Sequence, residues 1–203
     1  MRPVTGDAVL VGMGERYDLL VDLRDGVFPL VAVAEGKGGQ VLAVVRTSPG
    51  ATPRADVGPA ELDRMLVTVE DLRATGAVDL GPRSPTRSYR LALDGDMDRY
   101  RWTINGKTHH EAAPLEVGEG ERLRLVFENR SMMFHPMHLH GHTFQVQRAG
   151  KRRPGPRKDT VIVRPLERLT VELDAGNPGR WMLHCHNAYH QAAGMMTTLS
   201  YLP

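Results

Sequence analysis

The segment WMLHCHNAYHQAAGM, residues 181–195, carries the only cysteine of the chain between two histidines. Successive side chains of an extended strand point to opposite faces. Cys185 therefore shares one face with apolar Leu183, while His184 and His186 share the other. This pattern predicts a strand of a β-sheet that packs a thiol against the core and presents two imidazoles on its opposite side.

A second segment, HPMHLHGH at residues 135–142, repeats the two-residue spacing of histidines. If this segment is also extended, His138 and His140 face the same way. The two segments together hold seven of the nine histidines. Each histidine alone could be an ordinary hydrogen-bonded residue, and the cysteine a small buried hydrophobe. Their clustering indicates metal binding instead.

The donor types favour copper over zinc. One thiolate, two imidazoles and a weakly bound thioether are typical of a blue copper site. Zinc also accepts cysteine and histidine, but it does not require a methionine, and no second thiol is present. The candidate ligands of this first site are His135, Cys185, His190 and Met195. Gly194 permits the bend that returns the chain to the site. The histidines that remain predict a second metal cluster: His138, His140, His184 and His186.

Other conspicuous residues receive no site role. His142 is interpreted as a supporting or packing residue, whereas His109 and His110 follow a turn and are expected to be exposed strand residues. The basic run KRRPGPRK at residues 151–158 contains two prolines and a glycine. It is therefore expected to be a solvated loop.

Short apolar runs that alternate with polar residues predict an all-β protein. From residue 84 onward such runs are separated by turn signals, among them Asn105-Gly106, at a spacing typical of a β-sandwich. Residues 84–203 are expected to form a complete domain. Residues 51–83 read as a linker with a short helix behind Pro59, and residues 1–50 contain too little sheet to be stable alone.

The composition excludes several functional classes. The formal net charge is only +2 and the basic residues are scattered, so we expect no nucleic-acid partner. No apolar run is long enough for a membrane span, and no signal peptide is visible in this chain. A single cysteine also excludes an internal disulfide.

These motifs resemble those of the multicopper oxidases, in particular the bacterial three-domain, laccase-like members. GERYDLLVDL at residues 14–23 resembles the end of the family's middle domain, and WTINGK at residues 102–107 resembles the opening of its last domain. RKDTVIV at residues 157–163 resembles its central strand. The two histidine segments resemble its third and fourth copper motifs. The resemblance implies a cupredoxin-like Greek-key β-sandwich, preceded by part of another cupredoxin domain.

The resemblance also implies a role for each ligand. It makes His135, Cys185, His190 and Met195 the type 1 copper ligands. It makes His138 a type 2 ligand and His140, His184 and His186 type 3 ligands. A small reductant, such as a phenol, an aromatic amine or cuprous ion, would deliver electrons that pass along Cys185 to His184 and His186. Dioxygen would be reduced to water, in the periplasm or outside the cell.

The departures from the family pattern leave three hypotheses open. The family builds its trinuclear cluster from eight histidines, and no histidine pair of the form HxH precedes His135. The type 1 site is thus complete and the type 2 and type 3 sites are partial, so a second chain or a homo-oligomer would have to complete an active oxidase. The alternatives are an isolated blue-copper electron-transfer domain and an inactive truncated fragment. Gln191 also replaces the acidic residue that delivers protons in some relatives.

Overall fold

The computed structural model describes residues 2–34, 36–147 and 154–203, and strands dominate it, as predicted. The chain divides into two compact units. The larger unit comprises Met1–Val4, Leu10–Arg16 and Thr68–Pro203, and the smaller unit comprises Thr5–Val9 and Tyr17–Val67. Within the described part of the chain, no helix combines the length and the apolar character that crossing a membrane requires.

The smaller unit is built from two pairs of strands. They are β1 (Ala8–Val9), β2 (Val27–Ala34), β3 (Gly39–Arg46) and β4 (Leu66–Val67). β2 and β3 are antiparallel along their whole length, and β1 is parallel to β4. The helix predicted behind Pro59 is only a four-residue 3-10 helix, Ala60–Asp63. It is short because the apolar residues that follow, Leu66 and Val67, pair with β1.

The larger unit is a sandwich of two sheets. Its elements in chain order are a 3-10 helix (Gly76–Val78), β5 (Arg87–Asp96), β6 (Arg101–Ile104), β7 (Leu115–Val117), β8 (Arg122–Asn129), β9 (His135–Leu139), β10 (Phe144–Gln147), β11 (Arg157–Lys158), β12 (Thr160–Val163), β13 (Arg168–Asp174), β14 (Arg180–Cys185), α1 (Ala188–Ala192) and β15 (Met196–Tyr201). The first sheet has the order β11-β10-β13-β8-β5-β6, and the second has the order β12-β9-β14-β15-β7. Connections that cross from one sheet to the other, as from β8 to β9 to β10, are those of a Greek-key sandwich.

The core lies between the two sheets of the larger unit. The apolar residues that alternate along β8, such as Leu125 and Phe127, are fully buried and face Leu139 and Leu183 of the second sheet within one apolar cluster. The turn predicted at Asn105-Gly106 is confirmed, because both residues have positive φ angles and Ile104 pairs with Lys107 on either side.

The basic run at residues 151–158 differs from its prediction at one end. Residues 151–153 lie outside the described residues. Arg157 and Lys158 form β11 rather than a solvated loop, and Lys158 is buried. Its Nζ lies 3.0 Å from a carboxylate oxygen of Glu15, which offsets the cost of burying an ammonium group.

Phe127 on the central strand β8 provides a test of this core. Replacement with alanine leaves a cavity between the sheets, so we expect Phe127→Ala to lower the free energy of unfolding by about 3–5 kcal/mol. Exposed Met97→Ala serves as the control and should change it by less than about 0.5 kcal/mol. Urea denaturation measures both variants. Equal effects would show that Phe127 is not packed as described.

Candidate metal centre

Two strands and a short helix supply the first donor group. His135 is the first residue of β9, Cys185 is the last residue of β14, and His190 lies on α1. The Cys185 Sγ atom is 3.7 Å from Nδ1 of each histidine, and the two Nδ1 atoms are 3.1 Å apart. All three side chains are buried. The structure thus brings together the three strongest ligands predicted for the first site.

Local structure places His190 and Met195 beside Cys185. The Asn187 side chain accepts a hydrogen bond from the Tyr189 N–H and caps α1. The chain turns back at Gly194, where φ is +119° and a Cβ atom would lie 2.7 Å from Thr108. Met195 follows, fully buried, and its carbonyl accepts the Cys185 N–H at 3.1 Å.

Groups that were not predicted from the sequence as site residues orient the two imidazoles. His135 Nε2 lies 2.8 Å from Ser131 Oγ, so its Nδ1 faces the cysteine. Trp102 stacks on the His190 ring at 4.0 Å and meets the His135 ring edge-on at 5.2 Å. A Cβ atom on Gly95 would lie 2.0 Å from the Trp102 ring, so the strand must carry glycine there. The only signal in the sequence was that Trp102 alternates with polar residues as a core residue does.

Burial shifts the pKa values of this group in opposite directions, because it disfavours the charged form of each side chain. It lowers the pKa of His135 to about 3, so its imidazole is neutral at neutral pH and can offer a lone pair to a metal. It raises the pKa of the Cys185 thiol to about 12. A metal that binds the thiolate must therefore displace a proton from this sulfur.

The second donor group lies on the other face of β14. His184 pairs in register with His138 of β9, and ligand atoms of His138, His140 and His184 lie within 4.8 Å of one another. His140 Nε2 is 2.9 Å from His184 Nε2. The His186 ring is adjacent but outside this group, with its centroid 5.7 Å from that of His138. The structure thus gathers three of the four predicted cluster histidines closely and places the fourth beside them.

Backbone carbonyls orient two of these imidazoles. His138 Nδ1 lies 2.9 Å from the Asp159 carbonyl, and His184 Nδ1 lies 3.0 Å from the Cys185 carbonyl. A carbonyl only accepts, so each Nδ1 donates and each Nε2 keeps its lone pair for a metal. Burial also lowers the pKa of both residues, which favours the neutral form.

Comparison with known proteins identifies the family. The family model for multicopper oxidases matches residues 82–203. The chain is 48% identical over 200 residues to the multicopper oxidase MmcO of Mycobacterium tuberculosis (strain ATCC 25618 / H37Rv). This alignment covers 98% of this chain and 40% of that protein. The chain belongs to the multicopper oxidase family.

One further relative supports membership of the multicopper oxidase family, and one solved structure supports the fold. The copper resistance protein A homolog of Pseudomonas syringae pv. tomato (strain ATCC BAA-871 / DC3000) is 36% identical over 139 residues, 68% of this chain and 23% of that protein. The solved structure of the multicopper oxidase from Campylobacter jejuni, described as a metallo-oxidase, matches with a TM-score of 0.62 at 19% identity, over 88% of this chain and 41% of that one. This likeness confirms the cupredoxin-like fold. The chain spans less than half the length of each of these relatives.

The donor atoms fit the metal that multicopper oxidase membership implies. A thiolate with two imidazoles, together with the buried Met195 five residues after His190, suits copper. The imidazoles of His138 and His184, which donate from Nδ1 to backbone carbonyls and carry a lone pair on Nε2, suit copper as well.

The other histidines lie outside both donor groups of this multicopper oxidase chain. His142 bonds the His140 carbonyl through Nδ1 and the Tyr201 hydroxyl through Nε2, at 3.1 and 2.7 Å. His142 therefore supports the turn that follows His138-Leu139-His140. His109 and His110 lie in a turn rather than on a strand, and only His110 is exposed.

Acid should destabilise the metal-free chain through His135. The pKa of His135 is about 3 in the folded chain and about 6.5 in an unfolded one, so the unfolded state binds the extra proton between these values. The stability that this histidine contributes is complete above pH 6.5 and is lost as the pH falls towards 3, by about 1.4 kcal/mol per pH unit.

The free energy of unfolding in urea, measured from pH 7 to pH 4, tests this expectation. His135→Gln should flatten the pH dependence, whereas the exposed control His110→Gln should keep the wild-type slope. An unchanged slope in His135→Gln would contradict the assignment.

Proposed function

We propose that this chain is the copper-binding C-terminal part of an oxidase that couples one-electron oxidation of a small reductant to reduction of dioxygen to water. The observation that carries the proposal is the pair of donor groups on opposite faces of β14. Bound copper supplies the one-electron chemistry and, at the second group, the reduction of dioxygen. The residues described below supply geometry, exclusion of water and connection.

Each predicted ligand has a proposed role. His135, Cys185, His190 and Met195 would hold a type 1 copper. His138 would hold a type 2 copper, and His140, His184 and His186 would hold type 3 coppers. Support comes from the convergence of the donor atoms in two groups and from the hydrogen bonds at Nδ1 that leave a lone pair on Nε2 of His138 and of His184.

Cys185 connects the two donor groups covalently. Its thiol belongs to the first group, and the residues on either side of it, His184 and His186, point to the second. One backbone step therefore separates a donor of one site from a donor of the other, which is a short route for electrons. Because Trp102 and the sandwich core enclose the first group, water is excluded from the Cys185 end of this route.

The first group approaches the surface at α1. Tyr189, which precedes His190 on this helix, is 73% exposed. A small reductant would approach here, and the candidates are phenols, aromatic amines and cuprous ion. Similarity to a protein named for copper resistance favours cuprous ion among them.

The second group needs partners from elsewhere. The three histidines of this group and the adjacent His186 would contribute four ligands to the cluster, and the resemblance implies eight. A preceding part of a longer polypeptide, a second chain or a second copy would supply the others. Residues 1–50 would then be the end of a middle cupredoxin domain, 51–83 a linker and 84–203 the last domain. Gln191 implies that protons reach this site by another route, and we place the protein in the periplasm or outside the cell.

A second candidate function is that of an electron carrier with a blue copper site alone. The observation that favours it is the difference in burial, since all three residues of the first group are buried while His138 and His140 of the second are only partly so. On this hypothesis the first group and Met195 would hold the copper without residues from another chain.

Replacing the thiol tests the first site. Cys185→Ser removes the sulfur-to-copper charge-transfer band, so the copper-loaded variant should be colourless where the wild type is blue. Met182→Leu, a change of similar volume at an exposed position of the same strand, is the control and should stay blue. A blue Cys185→Ser chain would show that the ligand assignment is wrong.

Copper content and oxygen uptake separate the two functions. An oxidase completed by a partner or by a second copy should bind about four coppers per complete active site, which comprises the type 1 copper and the trinuclear cluster. It should consume oxygen with a phenolic reductant or cuprous ion. An electron carrier should bind about one copper, remain blue and consume no oxygen.

A further inference from the structure

The GMGER segment, residues 12–16, lies against the second donor group, although none of its residues belongs to either group. We infer that this segment positions the imidazoles of His138 and His186. The inference rests on the proposed function, in which these two histidines are metal ligands. Three sets of contacts carry it, all within the larger compact unit.

Glycines of the segment approach His186 and its support. Gly14 has a φ angle of +80°, and a Cβ atom there would lie 2.6 Å from Cδ2 of the His186 ring. A Cβ atom on Gly12 would lie 3.2 Å from Pro136, whose carbonyl accepts the His186 N–H at 2.6 Å. The segment thus forms a wall against the imidazole of His186 and packs on the residue that holds its backbone.

Arg16 links this wall to His138. Its guanidinium donates to the Gly14 carbonyl at 2.8 Å and to both carboxylate oxygens of Asp159 at 2.9 and 2.7 Å. The carbonyl of the same Asp159 accepts the hydrogen bond from His138 Nδ1. One side chain therefore connects the backbone that contacts His186 with the residue that orients His138. Its side chain is 70% exposed, so this contribution is geometric rather than a strong ion pair.

Glu15 anchors the segment. It pairs with Lys158 at 3.0 Å with both side chains almost fully buried, and its second oxygen accepts the Gly12 N–H at 2.8 Å. Neighbouring Glu15 and Arg16 thus pair with neighbouring Lys158 and Asp159. A slip of one residue would bring like charges together, so the pairing fixes where Gly14 meets the imidazole.

Gly14→Ala tests the wall directly, and Gly120→Ala is a matched control. Gly120 has a φ angle of +76° and nothing within 4 Å of its Cβ position, so the control carries the same backbone strain without a ring to displace. The NMR chemical shifts of the imidazole nitrogens, measured in the metal-free chain of 203 residues, report how the rings are oriented. Gly14→Ala should shift the His186 signals and leave those of His110 unchanged, whereas Gly120→Ala should shift neither.

Arg16→Gln tests the link, and Arg87→Gln, which removes the ion pair with Glu121, is its control. Only Arg16→Gln should shift the signals of His138. Equilibrium dialysis against Cu²⁺ adds a second readout. In Gly14→Ala and Arg16→Gln, copper beyond the first equivalent should bind about 10- to 100-fold more weakly, the usual effect of losing a group that orients a metal ligand.

The outcomes distinguish this inference from the proposed function. A wild-type chain that takes up only one copper would count against the trinuclear assignment, and the imidazole shifts would still decide the positioning role. If the shifts and affinities of Gly14→Ala match those of Gly120→Ala, the segment does not position His186 and the inference is overturned.

Discussion

The alternation of side chains along β14 is the constraint on which the rest of the structure depends. Cys185 faces the core between the two sheets, and His184 faces outward towards His138 of the neighbouring strand. A shift of the β9–β14 register by one residue would exchange these faces and separate both donor groups. The apolar residues that hold this register, such as Leu183 opposite Leu139, therefore maintain the metal geometry as well as the fold.

Burial has two opposing consequences at the first donor group. It keeps His135 neutral, which prepares the imidazole for a metal, yet it also keeps Cys185 protonated. The folded chain therefore supplies the site with geometry and neutral imidazoles, while the thiolate forms only as the metal displaces its proton. Metal binding and folding stability are coupled through the same side chains.

The sequence predicted what depends on local spacing. Alternation in β8, the Asn105-Gly106 turn and the two histidine segments each involve residues close in the chain, where strand periodicity determines which side chains share a face. Contacts between distant residues could not be predicted in this way. Glu15 meets Lys158 and Gly14 meets His186 across most of the chain, and a lysine in a basic, proline-rich run carries no sign of burial. A short helix was predicted behind Pro59, but the spacing of the apolar residues did not reveal that Leu66 pairs with β1.

The two donor groups differ in their burial. The three residues of the first are buried, and Trp102 stacks on the His190 ring. The second lies on the outer face of a sheet, where His138 and His140 are partly exposed and His186 is exposed. Carbonyls at Asp159 and Cys185 nevertheless fix two of its imidazoles with Nε2 directed away from the backbone. Imidazoles whose Nδ1 atoms are held in this way present Nε2 as a ligand atom for a metal.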